Sequence, residues 1–176
     1  MVVFCGNTFD RPDSWIPDAI KAIGDPGLEG EKGPFIFWTL ATSYQPPKQD
    51  NYCLITTERV FFYRFTFFSG NVKSSTKIEF NRKDINDIVI AELNYRHITG
   101  AVWTDHVMLS LTFNMKDGQR YERYLPLGRN ETEINAVLPG YVKSIELLQK
   151  IYPVSYGNTR AGSGGYTMGV WFPFPN

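Results

Sequence analysis

HVMLSLTFNMKDGQRYERYLPL, residues 106–127, decides how this chain is read. Val107, Leu109, Leu111 and Phe113 alternate with Met108, Ser110, Thr112 and Asn114, and a period of two puts each set on its own face of a strand. The alternation stops at MKDGQ, where Asp117 and Gly118 suit the positive backbone angles of a two-residue hairpin loop. A hairpin with one apolar face is marginal alone, so more sheet or a helix must cover it.

Upstream, β-branched and aromatic runs cut by turn signals supply that sheet. FIFWTLATS is the first strand, the proline pair in YQPPKQDN keeps a loop extended, and NYCLITT and RVFFYRFTFF follow as strands around Thr57 and Glu58. SGNVKSS reads as a polar loop before TKIEF, and NRKDINDIVIAEL as a short segment carrying Ile85, Ile88 and Ile90 ahead of another strand. Downstream, Asn130 can cap a helix with Glu133 at the capping-box position, and Ile134, Val137, Leu138, Tyr141, Ile145, Leu148 and Tyr152 keep helical spacing. Pro139 and Gly140 predict a kink or two short helices.

The flanks differ in composition. Residues 1–33 are acidic and rich in proline and glycine, with room for one short helix: Ser14 as cap, Trp15, Ile16, Ala19, Ile20 and Ile23 as the apolar face, and Gly24 as the stop. After Pro153 a glycine-rich linker leads into YTMGVWFPFPN, where Tyr166, Trp171, Phe172 and Phe174 carry enough apolar area to predict docking on this chain or on a second copy. The expected organisation is an N-terminal extension over 1–33, one domain over 34–153, and a linker with an aromatic interaction tail over 154–176.

With 176 residues, 43% apolar and 15% aromatic, the chain fits one domain with ample core and no global disorder. Eighteen basic and eighteen acidic residues cancel, which removes the general field that draws a protein onto nucleic acid. Cys5 and Cys53 make neither a disulfide framework nor a zinc motif. The N-terminus reads as no signal peptide, and residues 34–41, the longest uncharged apolar stretch, are too short to span a bilayer. A cytoplasmic setting is the expectation.

No phosphate-cradling GxxxxGK[ST], HExxH, GxSxG or CxxC string occurs, and the glycines of AGSGG lack the strand before and the helix after that a phosphate loop needs. His97 and His106 sit among apolar residues without ligands at a recurring spacing, and Asp105 points to the opposite strand face from His106. Asp84 and Asp87, three apart, read either as a carboxylate pair or as turn residues satisfying local backbone groups. These features point away from an enzyme and imply no catalytic residue, cofactor or metal. Arg59, Arg64, Lys73, Lys77, Arg82 and Lys83, interleaved with Phe61, Phe62, Tyr63, Phe65 and Phe67, are the candidate ligand-binding set, the composition of a face for a phosphorylated headgroup or a strand of nucleic acid. A sheet with one buried and one wet face produces the same alternation.

YCLITTERVFFYRF, then KIEFNRKDINDI, then VMLSLTFNMKDGQRYERYL resemble the core of pleckstrin-homology-like domains, especially the bacterial versions and the related GRAM domains. Thr56, Thr57, Glu58 and Arg59 match the family's Thr-x-x-Arg turn, and Phe61, Phe62 and Tyr63 its aromatic strand. Asp84, Ile85, Asp87 and Ile88 match its D-I-x-x-I step, and Asp117 and Gly118 its hairpin turn. The resemblance implies a mostly β (α+β) fold, a bent antiparallel sheet or barrel closed by a C-terminal helix. No headgroup motif of the lipid-binding members can be placed on these residues, so a fold is implied and not a site. The expected function is a non-catalytic module for protein–protein interaction or self-association. The alternative is a peripheral domain binding anionic phospholipid through the basic residues between 59 and 83.

Overall fold

The structure is a computed structural model and describes residues 2–5, 35–41, 52–68, 71–99, 102–161 and 173. The described chain is mostly β with one long C-terminal helix. Its first sheet joins β1 (Val2–Cys5), β2 (Phe35–Thr39), β3 (Tyr52–Ile55), β4 (Arg59–Phe68) and β5 (Asn71–Asn81) in chain order. A 3-10 turn at Arg82–Asp84 leads into the second sheet. There β6 (Ile85–Thr99), β7 (Val102–Met115) and β8 (Arg120–Gly128) form an antiparallel meander. The helix α1 (Glu131–Ile151) follows, and then β9 (Val154–Tyr156) and β10 (Arg160–Ala161), both parallel to β6 on its outer edge.

The sequence signals explain most of this. Thr56 is fully buried in the β3–β4 turn, and its hydroxyl oxygen accepts from the backbone N–H of Glu58 and Arg59 at 3.2 and 3.0 Å. This is why a threonine starts that turn. At the second hairpin Met115 N–H donates to the Gln119 carbonyl at 2.9 Å and Gly118 has φ +89°. The loop therefore holds three residues, not two, with glycine at a left-handed position.

Even residues of β2 and β4 and odd residues of β7 and β8 face one core. It contains Ile36, Trp38, Val60 and Phe62 from the first sheet, Leu109, Leu111, Phe113 and Leu125 from the second, and Ile134, Tyr141, Ile145 and Leu148 from α1. Phe62 sits between the layers, edge-on to Phe80 at 5.6 Å and to Phe113 at 5.3 Å. Polar bridges fix the helix on both sheets. Trp38 Nε1 donates to Ser144 Oγ at 2.9 Å, Tyr141 Oη to the Pro126 carbonyl at 3.0 Å, and Tyr152 Oη to the Thr56 carbonyl at 2.9 Å.

Several elements differ from the sequence expectation. Helix α1 is one continuous element of 21 residues with Pro139 inside it, because Pro139 and Asn135, the residue whose carbonyl loses its partner, both lie on the solvent side. Asn130 Oδ1 caps Glu133 N–H at 3.0 Å, but Glu133 reaches back to the Arg129 N–H at 2.8 Å, one residue beyond the capping-box partner. NVKSS is strand, not loop: Asn71 to Ser74 pair with Phe65 to Phe68, and an irregularity beside Arg64 and Phe65 absorbs one extra residue. Asp87 lies on β6, not in a turn. Val2–Cys5, within the expected extension, pair in parallel with Phe35–Trp38. The expected linker opens with the two short strands on β6. The short helix over residues 14–23 and the tail residues Tyr166, Trp171, Phe172 and Phe174 fall outside the described residues.

Candidate binding groove

The six basic candidates do not gather. Arg59 and Arg64 are five apart on β4, so they project to opposite faces. Arg59 forms an ion pair with Glu79 at 3.1 Å and lies over the Phe61 ring at 4.6 Å. Arg64 is half-buried. Only the backbone of Lys73 and Lys77 is described, opposite Thr66 and Tyr63 on β5. Arg82 and Lys83 are exposed in the 3-10 turn, with Arg82 6.0 Å from the Tyr152 ring. The aromatic neighbours do not alternate between core and water, since Phe61 and Tyr63 are as fully buried as Phe62.

A different set of residues comes together on the outer face of the second sheet. Strand register sets three rows there: Asp87, Asn114 and Arg120; Val89, Thr112 and Glu122; Ala91, Ser110 and Tyr124. Gly157, Asn158 and Arg160 line one side of this face as a wall. Gly157 lets the chain lie close against β6: its N–H donates to the Ile90 carbonyl at 2.9 Å, and a Cβ there would stand 3.2 Å from the Ala91 Cβ. Tyr156 holds the wall from below, packed against the core and bonded to Gln149, and burial pushes its phenol pKa up. Arg160 then extends from β10 over the two intervening strands to Glu122 on β8, an ion pair of 2.6 Å.

The result is a depression of about 520 Å³, open to solvent and lined by Val89, Ala91, Ser110, Thr112, Asn114, Arg120, Gly157, Asn158 and Arg160. That volume lies in the range of ligand clefts. The side chains at its centre are small, and Ser110, Ala91 and Thr112, at 1%, 5% and 5% exposed, form a deep floor. Some polar groups are committed: Ser110 Oγ donates to the Ala91 carbonyl at 3.3 Å and Asn114 Nδ2 to Asp87 Oδ1 at 2.7 Å. The side chains of Arg120, Thr112 and Asn158 make no hydrogen bond or ion pair among the described residues.

None of these groove residues is in the sequence-derived set. Ser110, Thr112 and Asn114 were legible only as the polar half of a strand alternation. The opposing wall comes from residues 157–160, more than 40 positions downstream. Among the described residues no group of three or more His, Cys, Asp or Glu is placed to hold a metal, and no helix is long and apolar enough to cross a membrane. Half-buried His106 stands opposite Tyr95, while Asp105 stands opposite Arg96.

Fold and site together define a mostly β domain with a C-terminal helix and an open, ligand-sized groove on one sheet. Comparison of the chain with protein-family models, curated proteins and solved structures gives no match.

Proposed function

We propose that this chain is a non-catalytic interaction module with a pleckstrin-homology-like arrangement, and that it engages a polypeptide partner in the groove of the second sheet. The observation that carries this reading is the groove itself: uncommitted donors around a floor of small side chains, on the face of a sheet whose other face already supplies the core. The order of elements supports the arrangement, since β2–β5 and β6–β8 make antiparallel meanders of four and three strands before the helix. The phospholipid alternative draws less support, because Arg59 is ion-paired and Arg64 faces the other way.

The test is selection of peptides from a random displayed library against the folded chain, with Asn158→Trp as the comparison. Asn158 is exposed on the rim, so the substitution fills the groove without entering the core. Peptides that bind the wild type and lose binding to the variant, at equal melting temperature, support the reading. A library yielding only peptides indifferent to Asn158→Trp sinks it. Light scattering on the same samples reports self-association through this face.

A further inference from the structure

We propose that the groove recognises a carboxylate of the partner polypeptide, with Arg120 as the anchoring residue; this rests on the groove being the binding site.

The donor inventory leads there. Arg120 presents a guanidinium fork, Thr112 a hydroxyl and Asn158 an amide, all lining one depression and all without a hydrogen bond or ion pair among the described residues. A planar carboxylate accepts two parallel N–H bonds from such a fork and has lone pairs left for the other two donors. Arg160 is differently placed, because its charge is met by Glu122 at 2.6 Å. Val89 and Ala91 give the floor an apolar patch on which the methylenes next to the carboxylate rest.

Charge sets the valence of the ligand. Glu122 flanks the groove on the row next to Arg120, and Asp87 occupies the row of Arg120 itself. Glu122 is paired with Arg160, and Asp87 accepts from Asn114 and not from Arg120, so both carboxylates stand near the groove and a dianionic phosphate would meet repulsion from both. A single negative charge fits, and it orients on the one guanidinium without an acidic partner. Two sources carry this chemistry in a polypeptide, an acidic side chain and a chain end.

The experiment uses the full chain labelled with 15N and follows the backbone amides of Val89, Thr112, Arg120 and Asn158 during peptide titrations to millimolar concentration. Three short Ala/Gly peptides serve as probes: one capped at both ends with a central glutamate, its glutamine counterpart, and one with a free C-terminus and no acidic side chain. Groove shifts with the glutamate peptide assign the carboxylate to a side chain, and shifts with the uncapped peptide assign it to a chain end; either result supports the proposal. Arg120→Gln should weaken that binding about tenfold or more, the usual effect of losing a charge-assisted bond, and Thr112→Val by a few-fold. Both variants should keep the wild-type amide spectrum away from the groove.

Equal binding of the glutamine peptide would overturn the carboxylate claim while leaving the groove as a peptide site. Tighter binding of inorganic phosphate than of any peptide would also overturn it. If none of the probes moves the four amides, the carboxylate claim and the groove reading both fall.

Discussion

The two sheets are built from similar strands and use their outer faces in opposite ways. On the first, Phe37, Tyr52, Leu54, Phe61 and Tyr63 face away from the shared core, yet none is more than 3% exposed. They pack ring on ring, Phe37 against Tyr52 at 5.5 Å and Phe61 against Tyr63 at 5.7 Å. On the second sheet the corresponding face carries Ala91, Ser110, Thr112 and Asn114; the first three are also no more than 5% exposed, but they are small, and beside them lies a groove. Large side chains on both faces make a layer whose work is stability. Large on one face and small on the other leaves a groove on the outer surface while the core stays closed.

The sharpest way to break this contrast is to truncate equivalent positions. Phe61→Ala and Phe62→Ala remove rings from opposite faces of β4, both fully buried, and each should cost about 3–5 kcal/mol in denaturant unfolding. Thr112→Val, on the outer face of the second sheet, should change stability by well under about 1 kcal/mol because its hydroxyl has no partner among the described residues. A Phe61→Ala variant as stable as wild type would mean that the outer face of the first sheet contributes little, and the contrast would collapse.

Next in size is the bridge between the first sheet and the helix. Trp38→Phe removes the Nε1–H that donates to Ser144 Oγ and leaves a smaller ring in a fully buried site. Ser144 keeps its own bond to the Tyr141 carbonyl at 2.9 Å, so no donor is stranded. A loss of about 1–3 kcal/mol is expected, with groove binding unchanged. If Trp38→Phe instead weakens peptide binding while sparing stability, the two layers are coupled and are not separate stability and binding surfaces.

How much of this could be read beforehand follows from the range of each interaction. Alternation at Val107–Phe113, the Thr56 turn, the Asn130 cap and the face of α1 are encoded within a few residues of each other, and the sequence reading places them correctly. NVKSS reads as loop because its side chains are polar, but what makes it strand is the ladder it forms with Phe65–Phe68. Short, flanking Val2–Cys5 and Val154–Tyr156 carry little pattern of their own and become strands only through parallel pairing with distant β2 and β6. The groove was illegible for the same reason: Arg160 meets Glu122 across 38 residues, and nothing local to either announces the other. The basic run at 59–83 misleads in the opposite direction, since closeness in sequence puts Arg59 and Arg64 on different faces.

A smaller effect tests the hairpin that supports the groove. Gly118 has φ +89°, and a Cβ at this position would meet nothing within 4 Å, so Gly118→Val is opposed by backbone conformation and not by crowding. The expected loss is about 1–2 kcal/mol. An unchanged melting temperature would show that the loop readily takes another turn. If stability falls and peptide affinity stays, the β7–β8 turn belongs to the fold alone.

The smallest expected effect lies at the start of the helix that both sheets share. The side-chain and backbone hydrogen bonds from Arg129 hold the Glu133 carboxyl below its ordinary pKa, and the charge of Arg129 adds to this against a modest opposing effect of burial. A carboxyl with a folded pKa below its unfolded value binds fewer protons when folded. Its contribution is therefore complete at pH values above the ordinary glutamate pKa of about 4.3 and is lost as pH falls through the lowered folded value. Both partners are partly exposed, so solvent screening limits the contribution to roughly a few tenths of a kcal/mol. Glu133→Gln should be slightly less stable than wild type at neutral pH, and the two unfolding curves should converge in acid, below about pH 4. A gap that stays constant from neutral to acid pH would mean that the carboxylate charge, which acid removes, is not its source; no gap at any pH would mean that the hydrogen bond to the Arg129 N–H, which glutamine can also accept, supplies the whole effect.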